Sequence, residues 1–339
     1  MTMTDDLPKP VVDLMASGIV SEFATISQAG VPIDTACYYF PSEGLRSFDL
    51  ATGLSYPAKA ERARRNPKVG LLIEGTADEP VISIAGMAAV RDADPQANAL
   101  RYLAETGFAL PLNPPWELAR KAVYYFTRII MEVTPARVLW WDNPAAMDGA
   151  PHVWEAPADT VYPSSDPAAP GAVSAAAKWP PRTWRETADH AVARNAAAHL
   201  TLIDERGFPL PIRGREVILT DDGFDIVVPR GAPWSGNGTA SLSYEGLETF
   251  IGECRADGGR IHMTVERAMP FHPFMNDQRE MWHPSEDTYN GFMSRLKHEC
   301  DRRGVPVPTL PEDKPEPTAG ARLRMARGRN TFRAPATAD

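Results

Sequence analysis

The chain has 339 residues, a formal net charge of −9 and a hydrophobic share of 43%. That length exceeds one small barrel and suits two compact domains with real cores, and the acidic balance argues against nucleic acid as a partner. The three cysteines, Cys37, Cys254 and Cys300, are too far apart for a disulfide framework or a metal-spaced cluster, and no apolar run reaches membrane-spanning length. The first residues, Met1 to Pro8, lack a basic region followed by an apolar run, so a cytoplasmic protein is expected.

Strand-like and helical patterns alternate over residues 10–142, the first expected domain. Phe23 to Ser27 reads as a strand, Gln28 to Pro32 as a hairpin turn and Ile33 to Phe40 as the returning strand. Leu45 to Ala51 and Val69 to Glu74 are two more strands, on either side of a short basic helix. Pro80 to Val90 is rich in strand formers, with Gly86 placed to mark a bulge or a close backbone approach. Helices are expected at Pro95 to Thr106 and Pro115 to Tyr124, then strands at Phe126 to Val133 and Val138 to Trp141. Antiparallel strands with peripheral helices suggest a small barrel.

The most informative segment is Asp49-Leu-Ala-Thr-Gly-Leu-Ser-Tyr-Pro-Ala-Lys-Ala-Glu-Arg-Ala-Arg-Arg-Asn-Pro67. Ser55 is suited to cap the basic helix, and Pro57 to its first turn, where a missing N–H costs nothing. Free N–H groups at that end, with Lys59 one turn away, suit a phosphorylated ligand. Asn66-Pro67 ends the helix, because the residue before proline is pushed out of the α region. The bland alternative is a solvated basic face made by Lys59, Arg62, Arg64 and Arg65.

Residues 143–182 are dominated by Pro, Ala, Ser and Asp and read as a wrapped, irregular linker. A helix from Trp184 to Ala197 opens the third region, 183–270, which echoes the first. Thr25…Gly30-Val-Pro32 returns as Thr201…Gly207-Phe-Pro209, Phe48-Asp-Leu50 as Phe224-Asp-Ile226, and Arg128 to Val133 as Arg260 to Val265. Where the phosphate-binding helix should recur, Pro229 to Gly238 is too rich in Gly and Pro to form it and has no counterpart of Lys59. Residues 271–339 hold a helix, roughly Glu286 to Arg303, and a Pro-rich tail. Its basic end, Arg322 to Arg329, is read as disordered or as lying across an acidic surface of its own or a neighbouring chain.

The order and spacing of the basic segment resemble the pyridoxamine-phosphate-oxidase-like, flavin-binding split-barrel superfamily. There a Lys seven residues before an Asn-Pro pair binds the flavin phosphate, a spacing that Lys59 and Asn66-Pro67 keep. The likeness is closest to the flavin/deazaflavin oxidoreductase branch, whose turn reads like Thr52-Gly-Leu-Ser-Tyr-Pro-Ala-Lys59. The oxidase proper has Ser-Arg-Lys in place of Pro57-Ala58-Lys59, which argues against pyridoxamine phosphate as substrate. The resemblance implies a mainly β fold with peripheral helices (α+β): two tandem split β-barrels, the second degenerate. Single-barrel members form homodimers with cofactors between the barrels, so the fused chain is expected to build that groove internally. Whether the fused pair dimerises further is left open.

The resemblance assigns Lys59, Ser55 and Tyr56 to the cofactor phosphate, with Arg65 as a further cation, and Thr35, Thr52 and Gly53 to the ring and ribityl chain. Asp34 faces either solvent or the ring. It implies an oxidoreductase passing hydride or electrons between FMN and a small organic substrate. The 8-hydroxy-5-deazaflavin coenzyme is the second choice of cofactor, its acidic tail met by Arg62, Arg64 and Arg65. No side chain qualifies as a general acid or base. Of Trp140 and Trp141, neighbours on a strand, at most one faces the groove; Trp234 is a candidate lid. The seven histidines lack metal-ligand spacing. A haem-binding or haem-degrading barrel is the alternative, with His262, His272 or His283 as axial ligand; a non-catalytic flavin binder is another.

Overall fold

The computed structural model describes residues 3–106, 114–174, 182–269 and 282–327. Among the described residues fourteen strands form two antiparallel seven-stranded sheets. In the first, β1 (Val20–Ile26), β2 (Pro32–Pro41), β3 (Phe48–Gly53), β4 (Lys68–Glu74), β5 (Val81–Arg91) and β6 (Arg128–Trp141) run in the order β3-β2-β1-β4-β5-β6. A further β3–β6 pairing closes these six into a barrel, and β7 (His152–Glu155) adds to the outer half of β6. Closure removes the free edges.

The second sheet contains β8 (Ala198–Ile203), β9 (Pro209–Arg213), β10 (Glu216–Leu219), β11 (Gly223–Val227), β12 (Gly238–Tyr244), β13 (Glu248–Asp257) and β14 (Arg260–Ala268), in the order β10-β11-β14-β13-β12-β8-β9. With β10 set aside, this is the order of the first barrel, opened between the strands equivalent to β2 and β3. The architecture is mainly β with peripheral helices, one barrel closed and the other a half-barrel.

The ladders fix the equivalence residue by residue. Ile26 faces Pro32 and Ile203 faces Pro209, so the two turns match at Gly and Pro while Thr25 aligns with Leu202 rather than Thr201. Phe48 and Phe224 match as read, facing Val133 and Met263. That pairing puts the Arg128 and Arg260 echo two residues out of register. Both sheets slip between equivalent pairs, at Ala85/Gly86 and at Ile251/Gly252. A Cβ on Gly86 would lie 2.4 Å from Val133 Cγ1, and one on Gly252 2.0 Å from the Thr264 carbonyl oxygen. Each bulge therefore also needs a bare backbone.

The halves meet reciprocally: β4 lies against β9 and β12 against β2. A side chain on Gly70 would place Cβ 1.7 Å from the Pro209 carbonyl oxygen, and one on Gly246 2.3 Å from the Ala36 nitrogen. A third apolar cluster, including Leu72, Trp141, Phe208 and Leu210, fills the space between them.

Several elements differ from the sequence reading. β6 is one strand, since Pro135 falls at the bulge where no ladder N–H is needed. The expected helix at Pro115 to Tyr124 is two short turns, Trp116–Ala119 and Val123–Phe126. The helix starting at Trp184 ends at Ala193. Within 143–182, β7 pairs with β6, and residues 164–174 are tied down by side chains from elsewhere. Arg302 donates to the carbonyls of Ala169, Pro170 and Gly171, and Glu299 accepts from Ser174 N at 2.6 Å and Ser174 Oγ at 2.7 Å.

The helix Glu286–Arg303 starts at Ser285, whose hydroxyl accepts from Thr288 N, and stops at Gly304 with φ +66°. It lies on the first barrel, where Phe292 stacks on Tyr124 at 4.9 Å. The basic tail also returns to this barrel. In the helix Ala319–Ala326, Arg324 pairs with Glu105 at 2.7 Å, and beyond it Arg327 pairs with Glu79. Arg329 lies outside the described residues.

Candidate functional site

The basic helix, Ala58–Arg65, buries Ala60 and Ala63 against the barrel, and Asn66 turns extended (φ −131°) as Pro67 requires. Its cations divide into two groups. Arg64 is locked to Asp92 at 2.9 Å and to the Asp166 carbonyl. Lys59, Arg62 and Arg65 have no carboxylate within 4.0 Å among the described residues. The Lys59 ammonium donates to Cys37 Sγ at 2.8 Å and stands 6.0 Å from the centroid of Phe23. Arg62 Nε donates to Thr25 Oγ1 at 2.8 Å. Burial, with Arg65 close by, lowers the Arg62 pKa to about 10. This is a patch of positive charge whose acidic neighbour, Asp34, is felt by Lys59 from beyond ion-pair distance.

The remaining expected site residues divide between this patch and another place. Thr35 shares a face of β2 with Cys37, the face Lys59 reaches, and its buried Oγ1 has no hydrogen-bond partner. Ser55 does not cap the helix: Pro57 holds the cap position, and no side chain bonds to the helix start. Ser55 is 1% exposed, and its hydroxyl is 3.5 Å from the Phe292 carbonyl oxygen, which competes for it. Tyr56 packs edge-on against Phe292, with centroids 5.3 Å apart. Thr52 is buried opposite Ile129 and Gly53 opposite Arg128. The Arg128 guanidinium lies between Tyr102 and Tyr125, 4.4 and 4.2 Å from their centroids. The C-terminal helix and this aromatic packing thus cover Ser55 and Tyr56, while Lys59, Arg62, Arg65 and Thr35 stay with the patch.

A second polar group, absent from the sequence reading, lies where the barrels meet. Glu22 on β1, Asp34 on β2 and Glu74 at the end of β4 face His199 on β8. His199 Nε2 is 2.9 Å from Glu74 Oε2, and Nδ1 is 3.5 Å from Glu22 Oε1. Burial and the charge of Asp34 raise the Glu22 pKa well above the usual range. Burial raises Asp34 to about 6, held down by His199 and Lys59. For His199 burial acts downward, but Glu22, Glu74 and Asp34 outweigh it and lift the imidazole to about 9. His199 lowers the Glu74 pKa in spite of burial. Asp34 links this group to Lys59. The signal for it was a charge on the apolar face of each of two echoed strands.

Other candidates resolve differently. Trp140 and Trp141 do face opposite ways: Trp140 stacks on His152 at 5.3 Å, and Trp141 joins the apolar filling between the halves. Trp234 packs against the apolar filling between the halves, its Nε1 donating to the Leu210 carbonyl at 2.8 Å. Residues 228–237 contain no helix. Both His262 ring nitrogens face carboxylates, Asp225 at 2.8 Å and Asp222 at 3.3 Å. His283 lies beside Tyr289 at a surface hollow, and His272 lies outside the described residues. Among the described residues no cluster of His, Cys, Asp and Glu could hold a metal ion, and no helix is long and apolar enough to cross a membrane.

No family model matches the chain, and no curated protein does. Solved structures do. The chain is similar to a conserved hypothetical protein, Rv2991, from Mycobacterium tuberculosis, at 23% identity over 42% of this chain and 85% of that one, with a TM-score of 0.32. It is similar to an F420 reductase at 16% identity over 40% of this chain and all of that one, TM-score 0.32. A pyridoxamine 5′-phosphate oxidase-related, FMN-binding protein from Nostoc punctiforme matches at 14% identity, over 38% and 80% of the two chains, TM-score 0.29.

Proposed function

We infer that this chain binds one flavin-type cofactor, FMN first and 8-hydroxy-5-deazaflavin second, and passes hydride or electrons between it and a small organic substrate. The supporting observation is the unpaired cation patch. Lys59, Arg62 and Arg65 have no carboxylate within 4.0 Å among the described residues, while Arg64 on the same helix pairs with Asp92. Lys59 and Arg62 are partly buried and Arg65 is exposed beside them; partly buried cations are costly without a close anion, and a phosphate would supply one. The buried, unsatisfied Thr35 hydroxyl beside it fits a polar ligand atom.

The fit is partial, because Ser55 and Tyr56 are covered by Phe292. The anchor is therefore assigned to Lys59, Arg62 and Arg65 alone. A bound flavin would supply the redox chemistry; the chain's own residues would hold its phosphate and orient it. Asp34 feels the charge of both Lys59 and His199.

The test is an absorption titration of the purified chain with FMN, the deazaflavin and haem, in the wild type and in Lys59→Ala and Arg62→Ala. Perturbed flavin bands in the wild type, with at least a roughly tenfold loss of affinity in each variant, are expected. Haem binding indifferent to Lys59 would overturn the reading, as would flavin binding that neither substitution weakens. Turnover with a reductant then separates an enzyme from a carrier.

A further inference from the structure

The approximate two-fold that relates the halves shows where their cores differ. Carried back without a gap from the equivalent Ile26 and Ile203, it sets Leu14 and Met15 of the helix Lys9–Ser17 against Ala191 and Val192 of the helix Trp184–Ala193. On the strand side Tyr39 faces Leu50 as Val217 faces Ile226, so Val217 stands where the first half has Tyr39. In the first half these side chains are solid core: Leu14, Met15 and Tyr39 are at most 1% exposed, and the Tyr39 hydroxyl donates to the Met15 carbonyl at 3.1 Å. In the second half each is shorter, and a cleft of about 770 Å³ lies beside them, with Ala191, Val192, Val217, Ala198 and Tyr244 in its wall. It opens at the break between β9 and β10, where Arg213 and Gly214 join the lining.

We propose that this cleft is a binding site for a small organic carboxylate, its apolar body on Ala191, Val192 and Val217 and its carboxylate on Arg213. Tyr244 lines the cleft and is 4% exposed, yet its hydroxyl has no hydrogen-bond partner among the described residues. Burial, with Glu248 nearby, raises the Tyr244 pKa, so the hydroxyl keeps its proton and is a donor without an acceptor. A ligand oxygen would supply one. The matching place in the first half is core, so the cleft is no second copy of the Lys59 patch.

Charge selects the ligand class. Three charged residues line the cleft: Glu74, Arg213 and Arg215. Glu74 is held by His199 at 2.9 Å and Arg215 by Asp148 at 2.8 Å. Arg213 has no carboxylate within 4.0 Å among the described residues and feels Glu74 only from beyond that distance. A guanidinium with its fork free is matched by a carboxylate, which it can bind through two parallel hydrogen bonds. Arg213 pairs with His199 and Tyr244 with Ala198, neighbours on β8, so the two sit on opposite faces of the sheet. β9 ends at Arg213, and the cleft reaches both around that end. Its volume falls in the range of small-molecule pockets, and its wall is mostly short apolar side chains, which leaves room for an apolar body rather than a chain of polar groups.

The experiment is calorimetric titration of the whole chain with sodium 3-phenylpropionate, with 3-phenylpropanamide and 3-phenylpropylammonium as neutral and cationic controls of the same shape. The expected result is binding of the carboxylate at least roughly tenfold tighter than either control, and a roughly tenfold loss both in Arg213→Gln and in Val192→Trp, which fills the cleft. Arg213 and Val192 are exposed, so both variants should fold. Equal binding of the amide or the ammonium would overturn the site, as would no binding, or carboxylate binding that neither substitution weakens. Carboxylate binding lost in Lys59→Ala would put the anion at the basic helix and overturn it too.

Discussion

Glu22 and His199 occupy the same position in the two halves of the chain, four residues before the equivalent Ile26 and Ile203, and they face each other across the approximate two-fold at 3.5 Å. Two separate identical barrels would bring like against like at that point, acid on acid or base on base. A single chain can place acid against base.

The first prediction follows from this pair and from Glu74. The folded-state pKa of His199 is raised from 6.5 to about 9, so its stabilising contribution is complete below about pH 6.5 and disappears as pH rises through about 9. Glu22, also raised, loses its contribution as pH climbs above its unfolded value. Both act in the same direction on the alkaline side. Glu74, lowered, loses its contribution only at acid pH. Urea melts between pH 6.5 and 9.5 should show stability falling in the wild type and a flatter profile in His199→Gln. His199→Ala should cost about 3–5 kcal/mol at neutral pH, as expected when one partner of a buried pair is removed.

Glycine substitutions test the close approach of the halves. Gly70→Ala forces Cβ into the Pro209 carbonyl at 1.7 Å and should cost at least about 3 kcal/mol, because backbone on both sides must move. Gly291→Ala, in the helix Glu286–Arg303 with nothing within 4 Å of the new Cβ, should stabilise by about 0.5–1 kcal/mol. Paired denaturation curves check both.

Arginines on one helix should separate into two kinds. Arg64→Ala strands the buried Asp92 with one fewer cation and should destabilise by about 3 kcal/mol. Arg62→Ala removes a cation that burial disfavours, loses one bond to Thr25, and should shift stability by no more than about 1 kcal/mol while weakening phosphate-bearing ligands. Chemical denaturation and flavin titration of the two variants, side by side, give the answer.

Phe292→Ala should cost about 3–5 kcal/mol by opening a cavity beside Tyr124 and Tyr56. It should also make the helix Glu286–Arg303 sensitive to limited proteolysis before the barrel melts.

Much of the local structure was legible because its causes are local. Pro95–Thr106 and Glu286–Arg303 were readable from periodicity and end signals, and Gly86 from its place inside a strand pattern. The turns at Gly30 and Gly207, both left-handed (φ +79° and +84°), were marked by Gly and Pro. What escaped depends on distant partners. Ser55 has every property of a cap, but a carbonyl 237 residues further on lies beside its hydroxyl. The Glu74–His199 contact spans 125 residues, and nothing near either one announces it. Lys59 was visible from spacing; the isolation of Lys59, Arg62 and Arg65 from Arg64 was not, because it depends on where Asp92 and Asp166 lie.

The open second sheet has a consequence in time. Synthesis delivers the closed barrel first, and its β4 backbone, bare at Gly70, is then ready to receive β9. The half-barrel, whose sheet does not close, finishes by docking onto that earlier surface. The helix carrying Phe292 emerges after both sheets and returns to the barrel that was made first. The chain therefore folds around its second half rather than past it, and a chain ending before residue 286 would leave Ser55 and Tyr56 uncovered by the Phe292 helix.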